Sequence, residues 1–323
     1  MSGRHIKALI AAYHAGDDLA FRRATQAIID EEEAKRHTAL ARDLRRMLAT
    51  GGRSVSVDAS VLPEPPRDRD SNVPLLEVST TGLSLDDLVF PEPVASRLAR
   101  LADEVVHWPA LDAAGVPRRS RVLLYGPPGC GKSTIAAALA GDLGLPLITA
   151  RIDSLMSSYL GETAANLRSL FDFASSTPGV VLLDEFDSLG KLRDDPTDHG
   201  ELRRVVNAVL QMIDGYRGQS LVIAATNNAE VLDSALWRRF DEVVEVPLPG
   251  PGEVRRLLLR LLHQADLATS VGPAVEKMNG LPYAAVEHAV NGARRRAVLE
   301  GRGSCRPADL MAAVDETVAR PWL

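Results

Sequence analysis

The sequence lacks the features that mark secreted and membrane-spanning proteins. Its 323 residues include two cysteines, Cys130 and Cys305, which are too few for a secreted disulfide framework and are not spaced as metal ligands. The N-terminal segment carries Arg4, Lys7 and Asp17 among its apolar residues, so it has no signal-peptide core. No run of about 18 uncharged apolar residues occurs, as a membrane span would need. These absences predict a reduced, cytoplasmic protein with no membrane partner.

Basic residues are also fewer than acidic ones. The chain has 37 lysines and arginines against 43 acidic residues, which gives a net charge of −6, and it has no long run of like charges. Because binding to nucleic acid depends on clustered positive charge, this balance argues against nucleic acid as the main partner. The hydrophobic fraction of 46% and the charged fraction of 25% are ordinary for globular proteins, so a buried core is expected.

Composition divides the chain into four segments. Residues 1–50 carry three apolar stripes at helical spacing, which predicts a small helical unit that docks a partner or, alternatively, a solubilising helical hairpin. Residues 51–82 are rich in glycine, proline and charge, and are predicted to be a flexible linker. Over residues 83–249, apolar runs alternate with helical stretches, which indicates an α/β fold with a parallel sheet covered on both faces. Residues 250–323 have a helical pattern alone, typical of a small bundle.

A glycine-rich motif of the form G-x-x-x-x-G-K-[ST] follows an apolar run and precedes a helix-like stretch. Its glycines allow backbone N–H groups to curl around phosphate oxygens, and the following helix adds its positive N-terminal end. Lys132 can reach the β- and γ-phosphates, Ser133 can ligate Mg²⁺, and Cys130 only fills a variable position. The predicted nucleotide-binding residues are Gly126, Pro127, Pro128, Gly129, Cys130, Gly131, Lys132, Ser133 and Thr134.

Two further apolar runs end in polar residues at the same edge of the predicted sheet. One ends in Asp184, predicted to hold Mg²⁺, and Glu185, predicted to activate the attacking water. Asp187 either supports this pair or is an ordinary solvated residue. The other run ends in Asn227, which either contacts the γ-phosphate or the water, or has a structural role. The GTP-reading motif N-K-x-D is missing there, which favours ATP as the nucleotide.

With these motifs assembled, residues 83–323 closely resemble the AAA+ ATPases, with the katanin/spastin-like members nearest. The resemblance rests on LLYGPPGCGKST at 123–134, VVLLDEFDSL at 180–189, AATN at 224–227 and LDSALWRRFDEVVEVPLP at 232–249. It implies a P-loop NTPase sheet of strand order 5-1-4-3-2, with residues 83–249 as the large nucleotide-binding subdomain and 250–323 as a helical lid. It further implies a hexameric ring that binds ATP and Mg²⁺ between neighbouring subunits.

The resemblance also implies roles for individual residues. Asn227 occupies the family's sensor-1 position. Arg238 and Arg239 match the paired arginines that family members insert toward the γ-phosphate of the adjacent subunit, where a guanidinium suits the charge of phosphoryl transfer. The surrounding motif is shorter here, so either arginine could be the main finger. Ala284 matches a lid position near the nucleotide.

Tyr159, Leu160 and Gly161 match the aromatic–aliphatic–glycine pore loop of the family. Inward-facing tyrosines of a ring could grip an extended polypeptide through apolar contact that tolerates many side chains. Tyr159 could instead be a half-buried anchor. Residues 4–49 do not match katanin or spastin. Their opening, together with the stretches SSYLGETAANLRSLFDFA and HGELRRVVNAVLQMID, looks like short bacterial AAA+ ATPases associated with subtilisin-like proteases.

Three functions follow from these features. The leading hypothesis is a ring driven by Mg-ATP that remodels or threads a protein substrate through its pore, with residues 1–50 selecting the partner. In the second, ring assembly gated by ATP regulates a companion protease of the subtilisin-like kind. The third is a DNA-acting loader, which the acidic net charge and the predicted pore loop disfavour.

Overall fold

The computed structural model describes residues 24–25, 27–29, 31, 64–68, 72–151, 160–188, 201–228, 234–262 and 271–322. The chain forms two compact units, one of residues 1–61 with 143–145 and one of residues 62–142 with 146–323. In the first unit the described residues 24–25, 27–29 and 31 are helical, and Ile29 is fully buried. Except at residues 77–79, which form a strand, the four-part division of the chain drawn from composition remains a prediction.

The second unit is built around a six-stranded sheet. Its strands are β1 Glu77–Ser79, β2 Arg121–Tyr125, β3 Leu147–Arg151, β4 Val180–Asp184, β5 Leu221–Thr226 and β6 Glu242–Glu245. Their spatial order is β1-β3-β4-β5-β2-β6, and all neighbours are parallel except β1 and β3. Counted from β2, the five parallel strands have the predicted order 5-1-4-3-2. The sheet confirms the predicted α/β class.

Strand β1 corrects the prediction that residues 51–82 are all linker. It pairs antiparallel with β3, so that Glu77 lies opposite Thr149 and Ser79 opposite Leu147. The residue before it, Leu76, is 4% exposed and belongs to the core beside the sheet. The prolines and charges of the segment dominated the composition, whereas a few apolar side chains are enough to hold a short strand on a sheet edge.

Helices pack on the sheet, whose strand β5 is buried at all six residues. In the large α/β part they are α1 Glu92–Val106, α2 Trp108–Ala113, α3 Lys132–Leu143, α4 Leu160–Ser176, α5 Glu201–Gly215 and α6 Ser234–Trp237. Helix α3 has buried residues on several sides, as expected of a helix packed within the molecule. Apolar residues of α4 and α5 form one core with the sheet, including Leu167, Phe171, Val209, Leu123 and Val181.

The C-terminal part is helical, as predicted. It comprises α7 Pro251–Leu262, α8 Gly272–Lys277, α9 Tyr283–Leu299 and α10 Pro307–Val318. Helix α7 begins at Pro251. Proline is favoured at the first position of a helix, because the N–H that it lacks would have no partner there. Arg256 and Arg260 of α7 donate hydrogen bonds to Phe90 O at 2.9 Å and Leu88 O at 3.1 Å, which fasten the helix to the segment before α1. None of the helices in the described ranges combines the length and the apolar character needed to cross a membrane.

Candidate functional site

The predicted site residues meet at the carboxyl edge of three neighbouring strands. Strand β2 ends at Tyr125, which pairs with Thr226 at the end of β5. On the other side of β5, Leu183 pairs with Ala224, so Asp184 also lies at this edge. The residues that follow β2, β4 and β5 are therefore adjacent in space, where ligands bind in open α/β sheets.

The loop between β2 and α3, residues 126–131, is called the phosphate loop below. Three of its glycines have positive φ: Gly126 at 145°, Gly129 at 71° and Gly131 at 90°. A side chain at Gly126 would collide with the carbonyl oxygen of Val246. Glycine is therefore required both for the backbone shape and for the close approach. Such a curled backbone, followed by the N-terminus of α3, can present N–H groups to an anion.

Lys132, the first residue of α3, is 7% exposed. Its Nζ donates hydrogen bonds to Gly126 O at 2.7 Å and Pro127 O at 2.9 Å, so the ammonium lies within the curve of the phosphate loop. Burial lowers the pKa of Lys132, and the nearby Asp184 and Asp187 oppose that shift. The loop therefore holds a buried positive charge of the kind that can bind a phosphate.

Ser133 and Asp184 join the phosphate loop to the end of β4. Ser133 Oγ donates a hydrogen bond to Asp184 Oδ2 at 2.9 Å, and Asp184 Oδ1 accepts from Glu185 N at 2.9 Å. Ser133 is exposed and Asp184 half-buried, so both are accessible from the cleft. A hydroxyl and a carboxylate oxygen side by side fit Mg²⁺, which prefers hard oxygen ligands and keeps several waters.

Glu185 has a backbone conformation that is unusual for its residue type. Its φ is +54°, in the left-handed region that non-glycine residues seldom occupy. The turn is held by Phe186 N–H, which donates to Ala225 O at 2.9 Å, and by Ser188 N–H, which donates to Glu185 O at 3.0 Å. Strain of this kind is found at sites where a side chain must point in one direction. Sequence reasoning identified Glu185 but had no signal for its conformation.

Asn227 is exposed at the end of β5, next to a buried polar pair. Thr226 Oγ1 donates to Asp187 Oδ1 at 3.3 Å, and it accepts from Asn228 N at 3.1 Å. Asp187 is 6% exposed, so it is not the solvated residue that one interpretation of the sequence allowed. The pair links the turn after β4 to the strand end that carries Asn227.

The helical C-terminal part contacts the phosphate loop. Ala284 N–H donates to Gly129 O at 3.1 Å, and a Cβ placed on Gly129 would lie 3.1 Å from Ala284 Cβ. Ala284 is thus at the loop, where it can line a bound nucleotide. Cys130 is fully buried, and burial raises the pKa of its thiol. Sequence reasoning missed Phe90 and Tyr283, whose rings meet edge-to-face beside the loop at 5.9 Å.

The two predicted finger residues have different environments. They lie in residues 237–240, called the double-arginine segment below. The Arg239 guanidinium forms an ion pair with Asp214 of α5, and its Nη1 lies 3.4 Å from Leu210 O. Arg238 is exposed and, within the described part of the chain, makes no hydrogen bond or ion pair. Of the two arginines, Arg238 is therefore the more exposed and the one without a polar partner among the described residues.

The predicted pore loop lies partly outside the described residues. Tyr159 lies outside them, and Leu160 and Gly161 are the first two residues of α4. The role of these three residues remains a prediction.

Comparison with known proteins agrees with the motifs. The model of the "ATPase family associated with various cellular activities (AAA)" matches residues 122–248. The chain is 36% identical to the AAA family ATPase y4kL of Sinorhizobium fredii, covering 98% of this chain and 96% of that one. It is 33% identical to the ATP-dependent zinc metalloprotease FtsH 3 of Sphaerobacter thermophilus, over 85% of this chain and 58% of that one.

A third relative is the proteasome-activating nucleotidase of Pyrococcus horikoshii, with 34% identity over 66% of this chain and 55% of that one. The chain therefore spans little more than half the length of the last two relatives. These relatives do not single out the katanin/spastin clade, which remains a prediction. On the similarity to y4kL over nearly the whole of both chains, the protein belongs to the AAA ATPases and is an ATP-hydrolysing enzyme.

Proposed function

We propose that the chain hydrolyses Mg-ATP in the cleft between the phosphate loop and the acid pair, Asp184 and Glu185. We further propose that it does so as a ring of identical subunits that acts on a protein. The observation that carries the proposal is the 2.9 Å hydrogen bond from Ser133 Oγ to Asp184 Oδ2, which joins the two halves of the site. Neither half would suffice alone, because glycine-rich turns and strands that end in acids also occur without a nucleotide.

The chain's own groups divide the work of hydrolysis. Backbone N–H groups of the phosphate loop and the Lys132 ammonium bind the phosphates and oppose the charge that grows as the bond breaks. Glu185 takes a proton from the attacking water, whose oxygen bonds to the γ-phosphorus while the bond to the ADP oxygen breaks. Asn227 orients that water. Ser133 and Asp184 would hold Mg²⁺, which supplies charge neutralisation on the phosphate oxygens.

Arg238 is the arginine that we assign to the neighbouring subunit's site. It is exposed and unengaged within the described ranges, whereas Arg239 is paired with Asp214 in its own subunit. A guanidinium supplied by a neighbour makes hydrolysis depend on assembly, because a lone subunit has no such group at its γ-phosphate. The proposed assembly is a hexamer.

The proposed substrate is a protein. The names of two relatives, the metalloprotease FtsH 3 and the proteasome-activating nucleotidase, connect ATPase activity of this family with proteolysis. Tyr159, Leu160 and Gly161 would form the pore loop that grips the substrate, and residues 1–50 would select it in the cytoplasm. The pore-loop assignment is supported by the family pattern, and the assignment of residues 1–50 by their apolar stripes at helical spacing.

Replacement of Glu185 by glutamine tests the catalytic assignment. Glu185→Gln keeps the size of the side chain but cannot accept the proton, so the rate of ATP hydrolysis should fall by about 10²–10⁴-fold while ATP binding persists. Glu287→Gln, an exposed change in α9, is the matched control and should hydrolyse ATP normally. Turnover at the wild-type rate by Glu185→Gln would refute the role of Glu185.

A second candidate function is the regulation of a companion protease, which the same two names favour. In this case assembly gated by ATP restrains or activates the protease without threading. Tyr159→Ala separates the two candidates. A threading ring would lose the unfolding of its protein substrate while retaining ATP hydrolysis, whereas a regulator would retain ATP hydrolysis and its effect on the protease. The measurements are ATP hydrolysis, the unfolding of whatever protein stays bound to the Glu185→Gln variant and, if that protein is a protease, its rate of proteolysis.

A further inference from the structure

The double-arginine segment is attached to its own subunit by two aromatic pairs. The rings of Trp237 and Tyr125 meet edge-to-face, with centroids 4.9 Å apart and planes at 76°. The rings of Phe240 and Phe186 meet in the same way, at 5.8 Å and 80°. Edge-to-face contact at these separations is a favourable arrangement of two aromatic rings. The segment therefore has one defined attachment on either side of its two arginines.

Both aromatic partners adjoin residues of the proposed nucleotide site. Tyr125 is the last residue of β2 and directly precedes Gly126, where the phosphate loop begins. Phe186 directly follows Glu185 in the strained turn. The segment that carries Arg238 thus touches the residue next to the phosphate loop and the residue next to the acid pair of the same subunit.

The two pairs differ in burial. Phe186 is 0% and Phe240 7% exposed, and both belong to the hydrophobic core beside the sheet, so this pair anchors the segment. Tyr125 and Trp237 are only half-buried, and Trp237 packs on the margin of that core. A ring at the margin can reorient without leaving a cavity in the close-packed interior. The outer pair is therefore the one suited to follow a movement of the phosphate loop.

Arg238 depends on its neighbours in the chain for its direction. Within the described residues no hydrogen bond or ion pair orients its guanidinium, and the residue on its other side, Arg239, is held by Asp214. Trp237, whose ring is placed by Tyr125, directly precedes it. The contact between Trp237 and Tyr125 thus connects the subunit's own site to the residue that precedes Arg238, and a shift of the Trp237 ring would change the direction of the Arg238 side chain.

We propose that Trp237 is a positioning residue for Arg238. Through its contact with Tyr125, Trp237 makes the direction of the Arg238 side chain depend on the state of the subunit's own phosphate loop. The inference rests on the proposed action of Arg238 on the neighbouring subunit. A nucleotide bound in one subunit then alters hydrolysis in the next, so the ATPase rate depends cooperatively on ATP concentration.

Two variants that are inactive alone can separate the subunit that donates the arginine from the one that accepts it. A Glu185→Gln subunit cannot activate water but still presents Arg238. An Arg238→Ala subunit keeps its own site but presents no arginine. When the full-length chains are mixed, activity should return where an Arg238→Ala site lies beside a Glu185→Gln neighbour. In this mixture the Glu185→Gln subunit is the donor of Arg238 and the Arg238→Ala subunit is its acceptor. Trp237→Ala is then introduced into the donor alone or into the acceptor alone.

We expect Trp237→Ala in the donor to lower the recovered ATPase rate by about tenfold or more, because small misplacements of a catalytic group have large effects on rate. Trp237→Phe, which keeps an aromatic ring, should restore the rate. The same Trp237→Ala change in the acceptor should have a smaller effect, since that subunit presents no Arg238. In otherwise unchanged chains, Trp237→Ala should also abolish the cooperative dependence on ATP.

Each other result decides against the inference. If Trp237→Ala lowered the recovered ATPase rate equally in donor and acceptor, Trp237 would act on the nucleotide site of its own subunit. If the donor carrying Trp237→Ala were fully active and the cooperativity intact, Trp237 would affect neither its own site nor the neighbouring one. If the two parent variants fail to complement, the action of Arg238 between subunits is wrong as well. Thermal unfolding of each variant is measured in parallel, and Trp237→Leu replaces the alanine variant if the latter does not fold.

Discussion

The phosphate loop and the double-arginine segment are shaped by different parts of the chain. The loop owes its form to the main chain, with positive φ at Gly126, Gly129 and Gly131 and a close approach to the backbone of Val246. The segment owes its form to side chains, through one ion pair and two aromatic pairs. The loop is therefore sensitive to a side chain added at one of these glycines, whereas the segment is sensitive to the loss of particular side chains.

The two regions also differ in how they hold positive charge. Lys132 is 7% exposed and satisfied by carbonyl oxygens of its own loop, whereas Arg238 is exposed and unengaged within the described ranges. A cation that acts within its own subunit can be buried in the folded chain before the nucleotide binds. A cation that acts on a neighbour has to remain at the surface until the neighbour arrives. The following predictions test this division.

The largest expected effect is on ATP hydrolysis by Arg238→Ala. An arginine supplied to a phosphoryl-transfer site accelerates hydrolysis by about 10³–10⁵-fold, so the assembled variant should lose activity on that scale. Its free energy of unfolding should change little, because Arg238 is exposed and makes no hydrogen bond or ion pair within the described residues. Steady-state ATPase assays at assembling concentrations and urea titration measure the two quantities.

Arg239→Ala is the matched control for that prediction. It removes a partly exposed ion pair with Asp214, and such pairs contribute about 0–1 kcal/mol. It should therefore reduce stability slightly and hydrolysis far less than Arg238→Ala. If Arg239→Ala were the more damaging change for hydrolysis, the assignment of the two arginines would have to be reversed.

The second prediction concerns the shape of the phosphate loop. Gly126→Ala adds a methyl group against Val246 O at a positive φ, so the loop must deform. We expect a loss of about 3 kcal/mol in the free energy of unfolding, together with loss of ATP binding measured by calorimetry. Gly115→Ala also has a positive φ but has open space around it, so it should lose only about 1 kcal/mol and bind ATP normally. Equal behaviour of the two variants would mean that the approach to Val246 is unimportant.

The same division explains what could be predicted from the sequence. The phosphate loop and the buried strands β4 and β5 depend on consecutive residues, and they form as predicted. The place of Ala284 at the loop followed from the family pattern of the lid. Local sequence is informative when the main chain itself forms the feature.

Other features depend on residues that are distant in the chain. Strand β1 is short and exists because β3 offers a free edge, which composition does not reveal. The choice between Arg238 and Arg239 depends on Asp214, a residue of α5 that no motif connects with them. The turn at Glu185, with its positive φ, is held in part by the hydrogen bond from Phe186 N–H to Ala225 O, which forms only when β4 and β5 are side by side. Tertiary contacts of this kind have no local signature.

The third prediction isolates the ion pair that separates the two arginines. A double-mutant cycle with Asp214→Asn and Arg239→Ala should give a coupling energy of about 0.2–1 kcal/mol in urea unfolding, as expected for a partly exposed pair. ATP hydrolysis by Asp214→Asn should remain close to that of the unaltered chain. A coupling energy of zero would mean that the pair with Asp214 does not distinguish the two arginines energetically, and both would again be candidates for the finger.

The smallest expected effect concerns pH and the buried cation of the phosphate loop. Burial lowers the pKa of Lys132 below its ordinary value of 10.5, although Asp184 and Asp187 oppose the shift. Between the folded and the ordinary pKa the unfolded chain binds more protons than the folded one, so the contribution of Lys132 to the free energy of unfolding rises with pH in that interval. In urea titrations, the stability of the unaltered chain relative to Lys132→Met should therefore be constant near neutral pH and increase as pH approaches 10.5. Parallel curves throughout would show that Lys132 is not buried, and the contrast with the exposed Arg238 would be lost.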